Sequence, residues 1–218
     1  MSDLTNPDVF VRMRSRNLLW PLIGSAGIVR IVLAMRLLPN GLFDDAYITF
    51  RYAANLIKGL GFVYNSPERV LGTTSPLFTF FLAAGGRVLG PSHIEEVAVF
   101  LGILASLGTL YLSEHILHFA AVAEAIKWTF FFVLAFLPSF VSNSISGMET
   151  PIVLFLMVLS LYLGMHNHLV ALSAVGILLF LSRIDTGVWL LAFAIHILLS
   201  KLTKLRDVAR PLAYSVLG

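Results

Sequence analysis

The sequence predicts an all-α fold, a polytopic transmembrane helical bundle with an amphipathic interfacial helix in its first outer loop. Of the 218 residues, 58% are hydrophobic and only 12% are charged, whereas a soluble domain carries about 25% charged residues. Apolar stretches recur along the chain, and their lengths are near the ~20 residues that one membrane crossing needs. We therefore predict a single transmembrane domain over residues 1–218, with room for six or seven crossings.

The composition also excludes several classes of function. The chain has no cysteine, which rules out disulfides, thiolate chemistry and cysteine-based metal sites. Its formal net charge is +3, and the basic residues cluster at the two ends instead of along one face. This distribution indicates membrane topology and argues against a nucleic-acid partner.

The first predicted span runs from Asn17 to Leu38. It follows a polar segment with arginines at positions 12, 14 and 16 and has no small-residue cleavage site. Basic residues before a span favour the cytoplasmic side. We therefore expect a cytoplasmic N-terminus, a retained first helix and a first outer loop at 39–75.

Within that loop the pattern predicts an amphipathic helix from Asp45 to Lys58. Ile48, Tyr52 and Leu56 recur every four residues on one side. A helix of this kind is typical of one that lies along the outer membrane surface.

The remaining apolar stretches decide the number of crossings. They begin at Pro76 and lie at 76–89, 94–118, 120–141, 150–165, 169–182 and 186–200. Together with the first span they would give seven crossings and an outer C-terminus, but basic residues follow the last stretch at positions 201, 204, 206 and 210. We therefore predict six crossings: either one of the three stretches between Ser75 and Val141 does not cross, or residues 94–141 divide into spans differently. Asp44, Glu149 and Asp185 then all lie outside.

Asp44 and Asp45 open a polar island, residues 43–78, in this apolar chain. One interpretation is an N-cap followed by a residue that the helix dipole favours. The other is a general base that takes a proton from an acceptor hydroxyl during sugar transfer, with a neighbouring carboxylate that orients it or holds a cation. The sequence leaves both open.

The polar island resembles the first outer loop of the GT-C glycosyltransferases, polytopic enzymes that use polyprenyl-phosphate sugars. Within that superfamily it is similar to the bacterial branch that includes the mycobacterial terminal arabinofuranosyltransferase. The resemblance is carried by Asp-Asp-Ala-Tyr-Ile-Thr-Phe-Arg-Tyr-Ala-Ala-Asn-Leu at 44–56, Gly-Phe-Val-Tyr-Asn at 61–65, Glu-Arg-Val at 68–70 and Thr-Thr-Ser-Pro-Leu at 73–77.

Two shorter motifs extend this resemblance. Ser-Gly-Met-Glu-Thr at 146–150 is similar to a recurring Ser-Gly-Leu-Glu-Thr, and Ser-Arg-Ile-Asp-Thr-Gly at 182–187 is similar to an Arg-Pro-Asp/Glu-Gly motif. In the second, Ile184 stands where proline is usual and Thr186 is inserted. Family members continue for several further helices and often a soluble domain, so we expect this chain to be a fragment or a minimal version.

The resemblance implies an inverting transfer of sugar from a polyprenyl-phosphate carrier to a glycan, lipid or protein hydroxyl. The expected location is the bacterial cytoplasmic membrane, as part of the cell envelope, with the active site outside. The expected partners are the donor, the bilayer and the acceptor, without nucleic acid. No cofactor is assigned, and a divalent cation, held at Asp45 if present, stays open. The implied site residues are Asp44 as base, Asp45 as its partner, Arg51 and Arg69 as donor-phosphate contacts, and Glu149, Arg183 and Asp185 as second-site candidates.

Two rival classes remain. A transporter or lipid flippase would use Arg30, inside the first span, as a substrate-path residue. A non-catalytic membrane module of a split or degenerate enzyme would fit the early stop at Gly218. For Arg30 itself the sequence favours an ion pair inside the bundle, with Glu149 or Asp185, over a contact with lipid phosphate.

Overall fold

The computed structural model describes residues 7–66, 68, 72–196 and 198–199, with the backbone alone for 7–17. This part of the chain is helical and has no β-strand, which confirms the predicted all-α membrane class. The helices are α1 (Pro7–Leu37), α2 (Asp44–Ile57), α3 (Pro76–Leu89), α4 (Ile94–Phe119), α5 (Glu124–Phe136), α6 (Pro138–Ser144), α7 (Thr150–Met165), α8 (Leu169–Ser182) and α9 (Ile184–His196).

Helix length separates the membrane-spanning candidates into two groups. Leu18–Asn40 and Pro91–Phe119 are long and apolar enough to cross a membrane, and α5 with α6 makes a third if this pair, bent by 51°, is one span. The other apolar helices are shorter: α3, α7, α8 and α9. Six crossings therefore stay a prediction.

Helices α4 and α7 are parallel, and α1 is antiparallel to α4. Because Gly108 lies against Phe155 and His115 against Tyr162, α4 and α7 run the same way. Trp20 of α1 contacts Tyr111 of α4, and Gly27, later in α1, lies against Leu107, earlier in α4. Helix α1 therefore runs in the opposite direction to α4.

Helix α3 stays at the end of the bundle where α4 begins. Gly72, just before α3, lies against Tyr52 of α2, and Gly86 near its end lies between Ile57 of α2 and Ile94 of α4. Both ends of α3 are thus close to α2. In a six-crossing arrangement, α3 would be the stretch that does not cross.

The break between α5 and α6 determines the place of Arg30. Proline at position 138 lacks an N–H and disfavours a helical conformation at Leu137, which has φ −58° and ψ 120°. The buried Arg30 donates from Nη1 to the carbonyl oxygen of Ala135 at 3.0 Å, and its guanidinium lies 5.2 Å from the ring centre of Phe140. Arg30 therefore satisfies a carbonyl beside the break.

The expected ion pair between Arg30 and Glu149 or Asp185 is wrong. Arg30 pairs with no carboxylate of the described residues, and its second hydrogen bond goes to the carbonyl oxygen of Ala26 at 3.0 Å. A backbone acceptor created by a proline 108 positions later in the chain leaves no mark in the sequence around Arg30.

Candidate functional site

The two adjacent carboxylates lie in the first turn of α2. The N-cap residue is Phe43, without a side-chain cap, so the interpretation of Asp44 as the N-cap is wrong by one position. Asp44 and Asp45 are both exposed and neither pairs with a cation among the described residues. Their charge remains favourable to the helix dipole.

Arg51 holds the following loop against α2. Its Nε donates to the carbonyl oxygen of Tyr64 at 2.9 Å and its Nη2 to Oδ1 of Asn65 at 2.8 Å, while its guanidinium lies 4.8 Å from the ring centre of Tyr64. Asn55, one turn later, donates to the carbonyl oxygens of Val63 and Tyr64 at 2.8 and 3.0 Å. The contact of Arg51 with a donor phosphate stays a prediction, and Arg69 lies outside the described residues.

The apolar side of α2 is covered by this same loop. Tyr52 is fully buried, its hydroxyl accepts the Gly72 N–H at 2.7 Å, and its ring centre lies 5.0 Å from that of Phe62. The opposite side of α2 packs into the core through residues such as Ala46 and Phe50. The chain itself therefore covers the side of α2 that carries Tyr52, and the position of α2 along the outer membrane surface stays a prediction.

A cavity of about 300 Å³ lies between α2 and the loop. Ile48 is its closest lining residue in sequence to Asp44 and Asp45, and positions three and four apart share one side of a helix. The cavity is lined by Ile48, Tyr52, Tyr64, Asn65, Glu68 and Gly72.

The Ser-Gly-Met-Glu-Thr segment packs directly on the start of α2. Gly147 has φ +80°, and a Cβ there would lie 2.8 Å from Leu42, 3.0 Å from Phe50 and 3.4 Å from Ala46. Two residues later, Glu149 is 5% exposed and is the N-cap residue of α7, without a side-chain cap bond. The segment thus brings a buried carboxylate to the end of the bundle that holds α2.

The three second-site candidates form one charged cluster. Arg183 donates from Nη1 to Oε1 of Glu149 at 3.4 Å and, through Nε and Nη2, to both carboxylate oxygens of Asp185 at 3.0 and 2.9 Å. The hydrogen bonds from Arg183 to Asp185 lower the pKa of the Asp185 carboxyl below its ordinary value. The part that the cluster plays in chemistry stays a prediction.

The sequence analysis missed two polar residues beside the site. Asn55 holds the loop, and the hydroxyl of Tyr47 accepts the Leu42 N–H at 3.1 Å and contacts Glu95 at 3.3 Å. The spacing of Asn55, one turn after Arg51, was the available signal. Among the described residues, no group of three or more His, Asp or Glu side chains could hold a metal ion, so a cation at Asp45 stays a prediction.

We expect Gly147→Ala to destabilise the fold by roughly 1–3 kcal/mol through overpacking against α2, in addition to the strain of a positive φ. Gly59→Ala is the matched control, because Gly59 has φ +74° but open space around its Cβ position. Thermal unfolding of both variants in the same detergent measures the difference. Equal effects would show that the contact with α2 costs nothing.

These features define a helical membrane protein with acidic residues at one end of its bundle. Over 64 residues the chain is 44% identical to the terminal beta-(1->2)-arabinofuranosyltransferase of Mycobacterium tuberculosis (strain ATCC 25618 / H37Rv), a stretch that covers 29% of this chain and 10% of that enzyme. No protein-family model matches the chain, and no solved structure matches it. The partial likeness supports a glycosyltransferase in general terms.

Proposed function

We propose that this protein is a GT-C-type membrane glycosyltransferase, or part of one, that moves a sugar from a polyprenyl-phosphate carrier to an extracytoplasmic hydroxyl. The observation that carries the proposal is the pair of exposed carboxylates in the first turn of α2, one turn from the cavity. The partial likeness to an arabinofuranosyltransferase supports the same reaction type. The acceptor is a glycan, a lipid or a protein.

In this mechanism Asp44 takes the proton of the acceptor hydroxyl while the oxygen attacks the anomeric carbon of the donor sugar. The bond between that carbon and the phosphate oxygen breaks, and polyprenyl phosphate leaves with the electron pair. A single displacement inverts the anomeric centre. Asp45 orients Asp44 or holds a divalent cation.

Positive charge for the donor phosphate comes from Arg51 in this proposal. It lies seven residues after Asp44, roughly 10 Å along the helix at ~1.5 Å per residue. Because Arg51 also holds the loop 61–65 in place, its loss would disturb both the charge and the shape of the site. Arg69 is the second candidate for this contact.

The rival transporter class depends on Arg30 as a substrate-path residue. The buried Arg30 donates to the carbonyl oxygen of Ala135 at the α5–α6 break, while its Nε and Nη2 have no hydrogen-bond partner among the described residues. A non-catalytic module remains distinguishable by assay. Purified protein in liposomes, given labelled polyprenyl-phosphate sugars and free saccharide acceptors, should form a labelled glycoside. A folded protein that forms none with any donor would refute the proposal.

The proposed topology places both termini in the cytoplasm and Asp44 outside. Cysteine introduced at Ser66, which is exposed, should react with a membrane-impermeant maleimide in intact cells. Cysteine introduced at Ser200 should react only after the cells are opened. Labelling at both positions in intact cells would refute the predicted six crossings.

A further inference from the structure

The cavity between α2 and its loop has the chemistry of a carbohydrate site. Tyr64 is 37% exposed, and its ring lies 5.9 Å from that of the buried Tyr52. The face of Tyr64 that the guanidinium of Arg51 does not cover suits the apolar C–H face of a sugar ring. Ligand sites combine such surface with a few polar groups that fix orientation.

Two of the lining residues supply those polar groups. Oδ1 of Asn65 accepts from Arg51 at 2.8 Å, which fixes the orientation of the amide. Glu68 is exposed and pairs with no cation among the described residues. An amide donor and a carboxylate acceptor together match vicinal hydroxyl groups, each of which both donates and accepts.

The charge of the cavity argues against a phosphate as its occupant. Among the described lining residues there is one carboxylate, Glu68, and no cation. The nearby guanidinium of Arg51 is directed at Tyr64 and Asn65 of the loop. A phosphate would therefore meet repulsion from Glu68 without a compensating partner among the described lining residues.

The position of the cavity relates it to the proposed base. Ile48 follows Asp44 by four residues and Asp45 by three, so it lies on their side of α2, roughly 6 Å further along the axis at ~1.5 Å per residue. A ring in the cavity would place one edge near these carboxylates. A hydroxyl on that edge would face the side of α2 that carries the proposed base, where an acceptor hydroxyl must lie for its proton to be taken.

We infer that this cavity binds the neutral sugar ring of the acceptor, with the ring against Tyr64 and its hydroxyls bound to Asn65 and Glu68. The inference rests on the proposed function for the assignment of the sugar as acceptor. The binding of a neutral saccharide is measurable without any transfer.

The binding test uses the full chain in nanodiscs and a panel of methyl glycosides and disaccharides of common pentoses and hexoses, followed by saturation-transfer NMR. Glu68→Gln should weaken saccharide binding by roughly tenfold or more, because it removes a hydrogen bond to a charged acceptor. Ile48→Trp, which fills the cavity, should abolish binding. Glu96→Gln, an exposed glutamate near the start of α4, is the matched control and should bind as the unaltered protein does.

Two binding results would overturn the inference: no saccharide of the panel binds the unaltered protein, or binding is unchanged in Glu68→Gln. Competitive displacement of a bound saccharide by farnesyl phosphate would also overturn it, since the occupant would then be a lipid phosphate. If Ile48→Trp fails to fold, Glu68→Gln still tests the inference, because Glu68 is exposed.

A transfer assay separates acceptor from donor. Glu68→Gln should raise the KM for the free saccharide by roughly tenfold and leave the KM for the polyprenyl-phosphate sugar unchanged. A rise in the donor KM alone would assign the cavity to the donor sugar and overturn the acceptor assignment. Absence of transfer by the unaltered protein would count against the proposed function, while the binding result would still decide the cavity.

Discussion

Asp44→Asn is expected to lower the rate of sugar transfer by roughly 10²–10⁴, the range for loss of a general base. Asparagine keeps the size of the side chain but cannot accept the hydroxyl proton. Because Asp44 is exposed and is not the N-cap, the cost to folding is limited to the dipole term of roughly 0.3–1 kcal/mol. Initial rates at saturating donor, together with expression and thermal unfolding, measure both effects.

Asp45→Asn is the neighbouring control and should cost less activity unless a cation binds there. A loss in Asp45→Asn with retained transfer in Asp44→Asn would exchange the two roles. If both single variants and the double variant transfer normally, the loop has no part in glycosyl transfer. The carboxylates would then serve only the helix dipole.

The second large effect is expected from Arg183→Met, which removes the cation that faces the buried carboxylate of Glu149. Breaking a fully buried ion pair costs roughly 3–5 kcal/mol. We expect about 2–3 kcal/mol here, below that range, because the side chain of Arg183 is 37% exposed. Thermal or denaturant unfolding in detergent gives the value.

Two further variants identify the cause of that loss. Glu149→Gln in the Arg183→Met background should recover part of the stability, because the neutral amide removes the unpaired buried charge. Asp185→Asn should cost less than 1 kcal/mol, since this carboxylate is 66% exposed. If the double variant is no more stable than Arg183→Met, the Glu149 contact is not the source of the effect.

The sequence by itself determined the helical class and most helix boundaries. Helices α3, α7 and α8 have the bounds predicted from apolar stretches at 76–89, 150–165 and 169–182, and α2 begins within one residue of its predicted start. These boundaries follow from local hydropathy and from prolines and glycines at the ends, which act within a few residues. The adjacent carboxylates could also be found in this way.

Only the tertiary structure decided the partners of the buried charged residues. Arg183 meets Glu149 across 34 positions, and Arg30 meets the Ala135 carbonyl across 105. The periodic pattern placed Tyr52 on an apolar side of α2, but it did not predict that the following loop covers this side. Local patterns show which side of a helix is apolar. Which element packs against that side depends on the rest of the chain, because the hydrophobic effect is non-directional.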